Sequence, residues 1–213
     1  MGKVTSEVPT FREIYETLER SVQDAGKWWP AETKFEILVG AVLTQNTTWT
    51  SVEKSLENLR VHDLLDPGNL LKSPQETLES LIKPSGFMRA KAGYLKNLTE
   101  WYKENDATAD AIDTQTLRAS LLNVKGIGQE TADDILLYAY LRPVFIYDTY
   151  GRRLLEAAGL GSFKTYDAAR NALDERVYEQ GFTTEELARF HGLIVQAGKD
   201  ARRAGGWEGI LKA

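Results

Sequence analysis

The chain has 213 residues, 26 Lys and Arg against 31 Asp and Glu, a net charge of −5 and no cysteine. That length supports a sizeable core in one compact unit or two small lobes, and an acidic chain can bind nucleic acid only through a locally basic face. The missing thiols exclude disulfides, zinc–thiolate sites and a cysteine-ligated iron–sulfur cluster, and with only His62 and His191 an imidazole metal site is not expected.

The first ten residues, MGKVTSEVPT, lack an apolar signal core, so a cytoplasmic protein is expected. Phe11–Val22 reads as an amphipathic helix, with Phe11, Ile14, Tyr15 and Leu18 at helical spacing. Asp24-Ala25-Gly26 breaks it, and Pro30 after Trp28-Trp29 suits the first position of a second helix, roughly residues 31–43. That helix is apolar on most sides and should be central, yet its run Ile37–Leu43 is far shorter than the ~20 residues that span a membrane. A polar stretch, Thr44–Trp49, precedes a third helix through Val52, Leu56 and Leu59.

Asp66-Pro67-Gly68 reads as a turn and Ser73 as the cap of a helix beginning at Pro74-Gln75. Pro84-Ser85-Gly86-Phe87 forms a glycine turn ahead of a basic helix, Arg89–Glu104, which carries Arg89, Lys91, Lys96 and Lys103 against the single acid Glu100 before Lys103. Tyr94, Leu95, Leu98 and Trp101 form its buried side, and Arg152, Arg153, Arg202 and Arg203 make further basic pairs. Asp113 or Thr114 caps a helix with Leu117, Leu121 and Leu122 inward. Gly126-Ile127-Gly128 then turns the chain into a helix from about Gln129, leaving bare amide N–H groups at its positive end, where a phosphate fits.

Asp148 sits at the mouth of the next helix, Thr149–Ala158, where backbone N–H groups favour an ionised carboxylate. Gly159-Leu160-Gly161 turns, Tyr166–Tyr178 is helical, and Thr183 or Thr184 starts a last long helix through Phe190, Leu193, Ile194 and Val195 towards Lys199. No stretch alternates as a strand does, so the expected fold is all-α.

The run Leu121–Ala132 (LLNVKGIGQETA) followed by Asp148 resembles the helix-hairpin-helix (HhH-GPD) DNA glycosylase superfamily, and in particular endonuclease III-like proteins. The resemblance implies two helical lobes, 31–140 with the hairpin and 1–30 plus 141–213 from both ends, with a base-binding cleft between them. It implies a catalytic carboxylate at Asp148 and backbone contacts to DNA from Lys125, Gly126, Ile127 and Gly128. It adds a second contact at Gly86 and Lys91, and an amide wedge for the vacated base position at Asn46, with Gln45 as the alternative. The residue before Thr131-Ala132 is a Schiff-base lysine in bifunctional relatives; here it is Glu130, 148 − 130 = 18 residues ahead of the acid. Without that amine no imine forms there, so a monofunctional enzyme using water is expected.

Trp28-Trp29-Pro30, Lys34-Phe35-Glu36, Gly40–Thr47 and Lys125–Asp133 are similar to one branch, the 3-methyladenine DNA glycosylase III type, which lacks the iron–sulfur cluster. That likeness implies a pocket of Trp28, Trp29, Pro30 and Trp49, with Lys199 as its lysine. An N3-methylated adenine is cationic, and stacking on indole favours it over a neutral base by ~0.5–2 kcal/mol. The implied partner is double-stranded DNA containing a damaged base, bound by a monomer. No cofactor is expected beyond Na+ or K+ on the carbonyls of Leu122, Val124 and Ile127, which the superfamily implies. Two other readings stand beside excision of 3-methyladenine: an endonuclease III-like glycosylase for damaged or mismatched pyrimidines, and a non-catalytic lesion-binding protein.

Overall fold

A computed structural model describes residues 8–22 and 29–211, and among them every regular element is helical. None of these helices is long and apolar enough to cross a membrane. The chain forms two compact units, one of residues 29–142 and one of the segments before and after it.

The middle unit is built around α2 (Lys34–Leu43), whose residues are nearly all buried and which packs on α3 (Trp49–Val61), α6 (Met88–Ala109) and α8 (Gln129–Tyr138). Helix α2 begins at Lys34 and not at residue 31. The Thr33 hydroxyl accepts from the Glu36 N–H at 3.1 Å, so Thr33 is the cap and Pro30 stays exposed outside the helix. Trp29 lies against Gly40, where a Cβ would come within 3.3 Å of the indole. Glu36, only 2 % exposed, is held by Arg60 at 2.5 Å and by the Glu32 N–H at 3.0 Å.

Asp66-Pro67-Gly68 proves to be the start of a short helix, α4 (Pro67–Lys72), with Asp66 accepting from the Asn69 N–H and Pro67 in its first turn. Ser73 closes α4 and does not cap α5 (Gln75–Leu81); Pro74 occupies that place without a side-chain cap. A 3-10 turn, Lys83–Ser85, leads into the 22-residue α6, which is longer than the basic segment implied. Helix α7 (Thr114–Leu122) starts on the predicted Asp113 cap and forms a helical hairpin with α8. Arg118 and Asp133 tie its two arms together through bonds of 2.6 and 3.0 Å, with both side chains almost wholly buried.

The other unit contains α1 (Phe11–Ser21), α9 (Thr149–Ala157), α10 (Tyr166–Tyr178), α11 (Thr184–Ala204) and the short α12 (Glu208–Leu211). Capping boxes start α1 at Thr10/Glu13 and α11 at Thr183/Glu186. Phe11, Phe145, Phe182 and Phe190 pack mostly edge to face, and Arg12 both pairs with Glu186 and lies 3.9 Å from the Phe182 ring centre. Against α9, Gly198 of α11 admits the Tyr150 ring, which would lie 2.3 Å from any Cβ there.

Candidate active site and nucleic-acid interface

Asp148 caps α9. Its Oδ1 accepts from the Gly151 N–H at 2.5 Å, and its backbone carbonyl takes the Arg152 N–H at 2.9 Å. The residue is 8 % exposed, so the carboxylate sits largely out of water beside the positive end of a helix. That is a fixed negative charge, able to oppose a developing positive one or to orient a water. Arg152 reaches back to the Tyr147 carbonyl at 2.6 Å and is engaged in shaping this corner. Arg153 and Arg202 instead line one cavity of about 240 Å³ with Tyr150 and Trp207, while Arg203 pairs with Asp200. Lys199, half-buried on α11, neighbours Gly198, the seat of Tyr150.

In the middle unit the aromatic residues form a cluster. The Trp29 ring meets Trp49 edge-on at 5.5 Å and lies tilted over Tyr138 at 4.9 Å. Trp29 is 8 % exposed and mostly core; Trp49, at the start of α3, is half-buried and is the more open face. Trp28 lies outside the described residues. Tyr138 carried no motif of its own, and only the packing of α8 on α2 brings it to the cluster.

The hairpin turn follows from its glycines. Gly126 has φ +102°, and a Cβ there would fall 2.1 Å from the Tyr94 ring of α6. Asn97, one turn along α6, donates to the Lys125 carbonyl at 3.0 Å, and the Ile127 N–H donates to the Val124 carbonyl at 3.0 Å. Lys125 and Gly128 are exposed, Ile127 is buried, and Gly128 is the N-cap of α8. The amide N–H groups of the first turn of α8 therefore sit at a helix start, where an anion is favoured. Glu130 is exposed in that same turn.

Two of the residues implied to contact DNA have their side chains engaged within the fold. Gln45 is not a free wedge: its Nε2 donates to the Gly126 carbonyl and the Thr131 hydroxyl, both at 3.0 Å. Asn46 is the exposed residue of that loop, in the left-handed region at φ 53°. The Lys91 side chain is also turned into the fold. It is 2 % exposed, and its Nζ donates to the Leu43 and Ser85 carbonyls, each at 2.8 Å. Lys96 likewise donates to the Ser73 carbonyl at 2.8 Å, so two of the four basic residues of this segment serve the fold. Gly86 has φ 71°, and Phe87 after it is 67 % exposed at φ 48°, an apolar side chain held outward that sequence reasoning passed over.

Asp148 lies in one unit, and the hairpin turn and the aromatic cluster lie in the other. The chain belongs to the HhH-GPD superfamily of base excision DNA repair proteins, which it matches over residues 39–179, and is a DNA glycosylase of that superfamily. It is 40 % identical over 175 residues to a protein of Methanocaldococcus jannaschii named for DNA repair glycosylase activity, covering 79 % of this chain and 78 % of that one. It is 29 % identical over 167 residues to endonuclease III of Sulfolobus acidocaldarius, covering 78 % and 72 %. Among solved structures, the 3-methyladenine DNA glycosylase of H. pylori, bound to 1,N6-ethenoadenine, superposes with a TM-score of 0.76 and 32 % identity. That match covers 88 % of this chain and 96 % of the other.

Proposed function

We propose that the protein hydrolyses the N-glycosidic bond of alkylated purines, 3-methyladenine foremost, in double-stranded DNA, and leaves the strand intact. The observation that carries this reading is the Trp29–Trp49–Tyr138 cluster in a chain with Glu130 at the place of the lyase lysine. The likeness to the H. pylori 3-methyladenine glycosylase supports it.

A base in duplex DNA must leave the stack before its glycosidic bond can be attacked. Asn46 fills the vacated position and Phe87 enters beside it, while Lys125 and the amides of residues 126–128 hold phosphate. Trp49, backed by Trp29, stacks the extruded base. A purine methylated at N3 already carries a positive charge, so it takes the glycosidic electron pair and departs as the neutral base without a proton from the protein. Asp148 then stabilises the cationic sugar and orients water for attack at C1′, taking up the proton that the water loses as the C1′–O bond forms.

Leu122 is the last residue of α7, so its carbonyl has no partner within the helix, and the Val124 carbonyl keeps a second lone pair beyond its bond to Ile127. With the Ile127 carbonyl these are neutral oxygen donors suited to Na+ or K+, which would supply positive charge at the turn. The protein acts as a monomer in this scheme.

The test is base release from methylated duplex DNA, with liberated purines separated and strand nicking scored on the same samples. Free 3-methyladenine without nicks is expected. Release of oxidised pyrimidines alone, or nicking, would move the protein to the endonuclease III type.

A further inference from the structure

Lys91 is a charge where burial and helix polarity both disfavour one. It lies in the first turn of α6, the positive end, and is 2 % exposed. Both acceptors of its ammonium are neutral carbonyls, and burial lowers its pKa to about 8.

The two carbonyls explain the location. Leu43 is the last residue of α2, and Ser85 ends the 3-10 turn before α6. Three residues after Leu43 comes Asn46, and two after Ser85 comes Phe87. Both are exposed, and both hold the left-handed conformation, at φ 53° and 48°. Non-glycine residues adopt that conformation uncommonly, and a bulky aromatic such as Phe87 less readily than an asparagine. Lys91 thus grips the stems of two loops that each present one side chain outward. Gln45, between Leu43 and Asn46, adds the tie to Gly126 and Thr131 of the hairpin.

We propose that Lys91 is a positioning residue whose buried ammonium locks the Asn46 loop and the Phe87 turn into one rigid element, so that both side chains enter the duplex together. The inference rests on the glycosylase reading for its substrate, but the coupling of the two loops is separable from it. A misplacement of either side chain leaves phosphate binding by the hairpin intact and removes the extruded state on which excision depends.

The chain has no cysteine, so Lys91→Cys introduces a single thiol that can be alkylated with 2-bromoethylamine in the unfolded chain and refolded, restoring an ammonium of lysine length. Binding to a lesion-free duplex, single-turnover base release, and the fluorescence of 2-aminopurine beside an abasic analogue are compared below the melting temperature of every form. For folded K91C we expect unchanged lesion-free binding, no 2-aminopurine rise, and excision reduced on the order of 10²-fold, the penalty of a small misplacement. Aminoethylation should restore both lost signals. A folded K91C with the wild-type fluorescence rise and rate would overturn the proposal, as would recovery of the melting temperature without recovery of either signal.

If K91C does not fold, the wild-type protein still decides. The Lys91 Nζ protons, observed by nitrogen-15 NMR, should remain protected from exchange both free and on the abasic duplex, and loss of protection on binding would overturn the coupling. A wild-type protein that excises nothing yet shows the Lys91-dependent fluorescence rise would refute the substrate reading and uphold the positioning role.

Discussion

The ring of Tyr94 occupies the space directly beneath Gly126, 2.1 Å from where a Cβ would project. Helix α6 is therefore the bed on which the hairpin turn lies, and Gly126 is the contact point. Gly126→Ala meets two penalties at once, a clash with the ring and a residue at φ +102°. We expect a loss of at least ~2 kcal/mol in urea unfolding, with DNA affinity falling in parallel. Adding Tyr94→Ala should recover only part of it, because the clash goes and the backbone strain stays.

Asp148→Asn should separate chemistry from folding. Asparagine caps a helix about as well as aspartate, so the melting temperature should stay close to wild type. Excision under single-turnover conditions should fall by ~10²–10⁴-fold, with lesion-duplex binding retained. Excision at the wild-type rate would remove Asp148 from the mechanism.

Trp49 is the more open aromatic of its cluster, and Trp49→Ala should cost most for cationic bases. A cation–π loss of ~0.5–2 kcal/mol corresponds to ~2–30-fold in excision of 3-methyladenine. Trp49→Phe should lie between the two. Measuring release of a neutral lesion in parallel checks that the effect follows the charge of the base.

Glu130→Lys places an amine at the position that the sequence resemblance assigns to an imine-forming lysine. A gain of strand nicking, and of a borohydride-trapped protein–DNA adduct, is the expected outcome on abasic DNA. A lysine in the first turn of α8 opposes the helix dipole, so a small drop in stability should accompany it.

The Lys91 ammonium gives a signed pH dependence. Its pKa is about 8 in the folded chain against 10.5 for an ordinary lysine. Between those values the unfolded chain binds more protons, so this residue makes unfolding harder as pH rises from 8 towards 10.5. Urea titrations of wild type and Lys91→Met across that range should differ in slope, with the variant lacking the rise.

Local chemistry was the part of this structure written plainly in the residues. The Thr183 and Asp113 starts, the hairpin glycines and the cap at Asp148 each depend on neighbours within a few positions, and all lie where their sequence context put them. Two boundary errors have the same local origin. Asp-Pro-Gly at 66–68 serves a turn and a helix start equally well, and Thr33 competes with Pro30 for one helix end. What sequence could not show is where a long side chain goes. Lys91 looks like any surface lysine in a basic segment, and only the approach of α2 and the 3-10 turn gives its ammonium two carbonyls. Gln45 and Asn46 are adjacent amides, and their opposite fates follow from one backbone dihedral and the nearness of Gly126 and Thr131.

The cap at α9 has an evolutionary corollary. The side chain proposed for catalysis also begins the helix, so selection for folding alone admits Asp, Asn, Ser and Thr at position 148. Aspartate and asparagine codons differ by one nucleotide. A lineage released from the need to excise bases could therefore lose its chemistry in a single step while keeping its helix, its hairpin and its grip on DNA. Folded homologues with asparagine at this position would then be sentinels, marking lesions for other enzymes to remove.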